Sequence, residues 1–111
     1  MAKALALTYR VKALPDEKTL IEILDRLLDA KTCDLSAVGA SMWTGKMLVP
    51  GTTIEMDLPS PANGADPIRI SARVVWCQPH TEGGVVSSRM GLEFMDVAPD
   101  VQARLLQLIN G

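Results

Sequence analysis

The sequence predicts a mainly β fold, a small antiparallel barrel capped by a helix. After residue 34, short segments rich in Val, Ile, Thr and Met recur, and turn signals containing Gly, Pro or Asn separate them. The last residues have the apolar spacing of an amphipathic helix instead, and no strand–helix–strand rhythm precedes them. This mixture favours a barrel with a terminal helix over a parallel sheet.

The candidate strands are short and lie between punctuation by Gly and Pro. The first covers residues 5–12, and later segments cover residues 39–47, 52–58, 68–78 and 85–95. In the segment that begins at Ile68, apolar and polar residues alternate, as expected of a strand with one wet face. The separating turn signals are Pro50-Gly51, Asn63-Gly64, Asp66-Pro67 and Gly83-Gly84. The sequence therefore predicts antiparallel strands joined by short loops.

Two segments depart from the strand pattern and predict helices. Over residues 19–29 the apolar side chains fall on one wide face, and Thr19 with Glu22 has the spacing of a capping box. Over residues 99–109, Pro99 suits a first helical turn, and an apolar stripe follows it. That stripe consists of Val101, Leu105, Leu108 and Ile109.

Length and charge limit the classes of protein. The 111 residues suffice for a single domain, 1–111, with one core. A net charge of −2 gives no global attraction to nucleic acid or to an anionic membrane. With no apolar run of spanning length and no export signal, we expect a cytoplasmic protein without membrane insertion. Cys33 and Cys77 fit buried, reduced thiols in that compartment.

Patterns typical of catalytic centres are missing from the sequence. His80 is the single histidine and is predicted to lie in a solvated loop, so it has no second histidine for a metal site. No serine has the Gly-x-Ser-x-Gly context, and no Gly-rich phosphate loop occurs. We therefore expect a protein that is not an enzyme and that holds neither a metal nor a resident cofactor.

One short segment at a strand connection combines an acid, a hydroxyl and a glycine. Asp34 and Ser36 can cap backbone amides in a turn there, and Gly39 can adopt a conformation that other residues disfavour. The functional alternative is that Asp34 accepts hydrogen bonds from a guanine edge, Ser36 adds a hydroxyl, and Gly39 lets a flat ligand approach the backbone.

The order of landmarks resembles the PilZ domain of bacteria. The landmarks are Asp34-x-Ser36-x-x-Gly39, then Ala72-Arg73-Val74-Val75-Trp76, then Met90-Gly91-Leu92-Glu93-Phe94 and a final helix, over roughly residues 28–109. The resemblance implies a six-stranded antiparallel β-barrel with a C-terminal helix and a role as receptor or adaptor for cyclic di-GMP. It assigns ligand contacts to Asp34, Ser36 and Gly39, and places Trp76 and Phe94 in the barrel core.

The chain departs from the family pattern before the first strand. Members that bind the nucleotide carry an Arg-x-x-x-Arg arm there, whereas here the first candidate strand begins almost at residue 1 and Leu14 follows Arg10 at that spacing. The spacing occurs at Arg69 and Arg73, which we interpret as outward-facing strand residues. If the nucleotide binds, Arg10 or another basic residue must supply the cation.

The helix predicted over residues 19–29 lies between the first two strands, where the family usually has a short connection. Its apolar face packs on its own barrel, or it mediates contact with a second copy or another protein. Three hypotheses follow for the function. The chain is a cyclic di-GMP receptor, a PilZ-like adaptor that acts through protein contacts, or a small hydrolase or transferase, for which the sequence offers no nucleophile and base.

Overall fold

Six strands and one helix make up the regular structure of the chain. A computed structural model describes residues 4–14, 26–60 and 66–110. The strands are β1 (Ala6–Ala13), β2 (Leu28–Leu35), β3 (Gly39–Thr44), β4 (Thr53–Leu58), β5 (Ile68–Glu82) and β6 (Val85–Met95), and the helix is α1 (Pro99–Asn110).

The strands form a closed barrel in the order β1-β2-β3-β6-β5-β4, and β4 pairs back with β1. Every pairing between neighbours is antiparallel. Closure leaves the barrel without open edges along its paired length. The predicted mainly β class, the six-stranded antiparallel barrel and the C-terminal helix are confirmed.

The core fills the barrel with side chains that point inward from alternate positions. In β5, for example, Ile68, Ile70, Ala72 and Val74 are buried and the residues between them are exposed. The helix α1 adds Leu105 and Leu108 to the same cluster and contacts β5. Phe94 packs against the cluster while partly buried, as the family resemblance implied.

A tyrosine provides a polar contact inside the barrel. The hydroxyl of Tyr9 lies 2.6 Å from Thr44 Oγ1, which in turn donates to the backbone carbonyl of Asp29 at 3.2 Å. Burial raises the pKa of Tyr9 above its ordinary value, the hydrogen bond to Thr44 opposes that shift, and the charge of Cys77 adds to it. Tyr9 is therefore a neutral core residue that links β1 to β3.

Two irregularities in strand pairing change the direction of the side chains that follow them. In β2 the register shifts between Thr32 and Asp34, so Cys33 is an extra residue. In β5 the register shifts between Val74 and Trp76, so Val75 is an extra residue. Since side chains alternate with period two, each bulge moves every later position to the other face of the sheet.

The second bulge overturns one prediction. Trp76 was expected in the core, two positions after the buried Val74, but its side chain is 39% exposed on the outer face. The extra residue at Val75 is the physical reason, because it reverses the alternation that would have turned the indole inward.

The hairpin of β5 and β6 is longer than predicted. Its pairing runs to Glu82 and Val85, whereas the pairing of β3 with β6 ends at Thr44 and Ser88. Gly83 and Gly84 close the hairpin with positive φ values of 57° and 81°, as a tight turn between twisted strands requires. His80 therefore lies in a strand rather than the predicted loop, although it is exposed as expected.

The helix predicted over residues 19–29 lies mostly outside the described residues. Its predicted end is wrong, because Leu28 and Asp29 are the first two residues of β2 and pair with β1. Pairing with β1 satisfies the backbone groups of these residues in the sheet instead of in a helical turn. Self-association through this segment stays a prediction.

The two cysteines, Cys33 and Cys77, are half-buried free thiols. The described part of the chain contains no helix that is long and apolar enough to cross a membrane.

Candidate functional site

The connection between β2 and β3 is a tight turn organised by Ser36. Its hydroxyl accepts hydrogen bonds from the amides of Val38 and Gly39 at 3.3 and 3.2 Å, and lies 3.1 Å from the carbonyl oxygen of Gly39, to which it donates. The amide of Ser36 also donates to that carbonyl at 2.9 Å. Ser36 therefore shapes the turn, as a serine in this position commonly does.

Glycine is required at position 39 because a side chain would not fit there, not because the backbone angle is unusual. Its φ is outside the positive range, contrary to our expectation. A Cβ atom at this position would overlap the carbonyl oxygen of Leu92 on β6. The absence of a side chain lets β3 and β6 approach closely where β3 begins.

The bulge at Cys33 places Asp34 on the outer face of the barrel. Without the extra residue, Asp34 would follow Ala30 and Thr32 into the core. Instead it lies opposite Ser41 of β3, whose hydroxyl donates to Asp34 Oδ2 at 3.2 Å. Among the described residues Oδ1 accepts no hydrogen bond. The carboxylate thus presents one open oxygen to solvent.

The bulge at Val75 places Trp76 on the same face, opposite Gly91 of β6. The indole lies directly over Gly91, because a Cβ there would overlap its Nε1, Cδ1 and Cε2 atoms. A tryptophan that covers a cross-strand glycine fills the space that the glycine leaves open. Gly91 is buried under the ring although it is on the outer face.

These residues border a pocket of about 290 Å³ on the outside of the barrel. Four cross-strand neighbours form one row through it, with Asp34 and Trp76 at the ends and the small residues Ser41 and Gly91 between them. We call this cavity the Asp34 pocket. It is lined by Asp34, Leu35, Ser36, Gly39, Ala40, Ser41, Val75, Trp76, Arg89, Gly91 and Leu92.

A basic side chain enters the pocket from β6. Arg89 Nη2 lies 3.4 Å from Asp34 Oδ2, although β3 separates their strands. The reach is possible because Ser41, which lies opposite Asp34, is small. Arg89 Nε is buried and has no acceptor among the described residues. A guanidinium and a carboxylate therefore share one wall of the pocket.

Two other strand arginines, Arg69 and Arg73, contact carboxylates at shorter distances. Arg69 donates to Asp57 with Nε and Nη2 at 2.9 and 3.2 Å, and this contact, together with the charges of Asp57 and Glu55, raises the pKa of Arg69. Arg73 donates to Glu93 at 2.9 Å. Both are exposed, as the sequence predicted for outward-facing strand residues.

The structure brings together three of the four predicted site residues. Asp34, Ser36 and Gly39 all line the Asp34 pocket, whereas Arg10 does not. Arg10 is in register with Glu55 of β4, and its neighbour Tyr9 lies opposite Leu28, at the far end of β2 from the pocket.

Sequence reasoning missed Arg89, Ser41 and Gly91 as site residues and placed Trp76 in the core. Arg89 and Gly91 come to the pocket through the pairing of β3 with β6, which no local spacing reveals. The sequence did contain one signal for Trp76. The first part of β5 alternates apolar and polar residues, and the consecutive apolar residues Val74, Val75 and Trp76 end that alternation, which indicates a bulge.

Comparison with known proteins identifies a matching family and a similar solved structure. The sequence model of the PilZ domain matches residues 8–111. In structure, the chain is similar to the PilZ domain of YcgR from Escherichia coli, solved with c-di-GMP, at a TM-score of 0.67 and 14% sequence identity. The superposition covers 96% of this chain and 79% of that chain. A search of curated proteins found no match to the sequence.

Proposed function

Because the chain belongs to the PilZ family, we propose that it is a bacterial signalling domain that binds cyclic di-GMP in the Asp34 pocket. The observation that carries the proposal is the convergence of Asp34, Ser36 and Gly39 on one open cavity. The similar PilZ domain of YcgR was solved with the same nucleotide. In this role the domain acts in the cytoplasm as a receptor and catalyses no reaction.

The three residues contribute in different ways. Asp34 makes the direct contact, since its open Oδ1 can accept hydrogen bonds from the N–H groups of a guanine base. Ser36 acts indirectly, because its hydroxyl already bonds within the turn. Gly39 fixes the approach of β3 to β6 and so the depth of the cavity.

The direct test is calorimetric titration of the chain with cyclic di-GMP. We expect saturable binding in the wild type and a loss of affinity of about tenfold or more in Asp34→Ala, because a hydrogen bond to a charged group is removed. Asp57→Ala is the matched control, since Asp57 also pairs with an arginine on the outer face but is outside the pocket. A folded wild type that gives no binding heat would refute the proposal.

An adaptor role is the second candidate, favoured by exposed apolar side chains on the outer end of the β5–β6 hairpin. Val85 and Val86 are 69% and 46% exposed. Because successive residues of a strand point to opposite faces, the two valines expose apolar surface on both faces of the hairpin end, and exposed apolar surface is typical of contact sites. If the domain acts through self-association there, light scattering will show an oligomer that Val86→Asp converts to a monomer. A monomeric wild type would exclude this form of the adaptor role.

A further inference from the structure

We infer that Arg89 is the cation that recognises guanine in the Asp34 pocket, and that Asp34 and Arg89 together select guanine over adenine. This inference rests on the proposed function and names the specificity-determining pair of its site. Arg89 of β6 thus has the role of the cation, for which the sequence suggests Arg10 or another basic residue.

The position of Arg89 provides the first argument. Its guanidinium lines the pocket beside Asp34, with 3.4 Å between Nη2 and Oδ2. The contact spans 55 residues of sequence and crosses β3. The two groups therefore form a continuous polar edge along one side of the cavity, with Trp76 at the other end of the row.

The state of Arg89 provides the second argument. A separation of 3.4 Å is longer than a strong charge-assisted hydrogen bond, whereas Arg69 and Arg73 each reach a carboxylate at 2.9 Å. Nε of Arg89 is buried without an acceptor among the described residues, so packing holds the stem of the side chain. The guanidinium end, on a side chain that is 41% exposed, remains able to bond to a ligand.

Base chemistry provides the third argument. Around its perimeter guanine presents the N2–H and N1–H donors and then the O6 and N7 acceptors, with O6 beside N1. A carboxylate accepts from the first pair and a guanidinium donates to the second, so the neighbouring Asp34 and Arg89 match the order of groups on the base. Adenine would place its N1 acceptor against the carboxylate and its N6 donor against the guanidinium. The pair therefore favours guanine.

The test measures the affinity for cyclic di-GMP and for cyclic di-AMP in four proteins: wild type, Arg89→Ala, Arg89→Lys and Arg73→Ala. We expect the wild type to prefer cyclic di-GMP, and Arg89→Ala to lose about 10- to 100-fold in affinity for it and most of the preference. Arg73→Ala is the matched control, because Arg73 is exposed on the same face but is outside the pocket. Thermal melting confirms that each variant is folded.

Arg89→Lys separates recognition of the base from neutralisation of phosphate. Lysine keeps the charge but lacks the planar fork, so recognition of the base predicts an affinity close to that of Arg89→Ala. Full recovery by lysine would overturn the assignment. Unchanged affinity in Arg89→Ala, with a wild type that binds, would overturn this inference alone, whereas no binding by the wild type would overturn the proposed function and this inference with it.

Discussion

Two parts of the barrel surface differ in how their charged residues are held. Between β4 and the first part of β5 the alternation is unbroken, and Arg69 meets its direct cross-strand neighbour Asp57. Across β2, β3 and β6, the bulge in β2 precedes Asp34, and Arg89 meets that carboxylate only diagonally across β3. Where the strand register is regular, oppositely charged side chains pair with each other. Where a bulge interrupts the register, polar groups remain available to a ligand.

The glycines show the same difference in another form. Gly39 and Gly91 both lie in the part of the surface where bulges interrupt the register. At each position a close neighbour leaves no room for a Cβ atom. At Gly39 that neighbour is backbone, which cannot move without breaking the pairing of β3 with β6. At Gly91 it is the indole of Trp76, which can swing towards solvent. Alanine substitutions at the two positions should therefore lower the free energy of unfolding by different amounts.

The largest effect is expected from Gly39→Ala. The new Cβ would overlap the carbonyl oxygen of Leu92 and push β3 away from β6. We expect the free energy of unfolding to fall by about 2–3 kcal/mol, measured by urea denaturation. Stability within about 0.5 kcal/mol of wild type would show that the strands can separate freely there and that the interrupted part is not tightly packed.

A smaller effect is expected from Gly91→Ala. Displacement of the indole into solvent should cost about 1 kcal/mol and shift the fluorescence of Trp76 to longer wavelength. The measurement uses a Trp43→Phe background, in which Trp76 is the single tryptophan. Unchanged emission would mean that the ring does not depend on Gly91 for its position.

The smallest effects are expected from the surface ion pairs themselves. A double-mutant cycle on Arg73 and Glu93 should give a coupling of about 0.5 kcal/mol that declines with salt. The cycle on Asp34 and Arg89 should give less, because their contact is 3.4 Å rather than 2.9 Å. A stronger coupling for Asp34 and Arg89 would remove the distinction between the two parts of the surface.

The sequence predicted the fold better than the site because the two depend on different information. Apolar alternation and turn residues are local, so the strand from Val85 to Met95 has its predicted bounds and the C-terminal helix extends only one residue beyond its prediction. The bulges at Cys33 and Val75 are set by pairing with distant strands. The family resemblance therefore placed Trp76 in the core, and no local pattern gave a reason to connect Arg89 with Asp34.

The division of the Asp34 pocket between two hairpins has a kinetic consequence. Asp34 and Ser41 come from the β2–β3 hairpin, whereas Trp76, Arg89 and Gly91 come from the β5–β6 hairpin. Local hairpins form with little loss of chain entropy, while the β3–β6 pairing that joins them requires a long loop to close. We expect contacts across this junction to form late, so Gly39→Ala, which pushes β3 away from β6, should mainly accelerate unfolding and change the folding rate little. A slower folding rate in that variant, measured by stopped-flow mixing, would place the junction in the transition state instead.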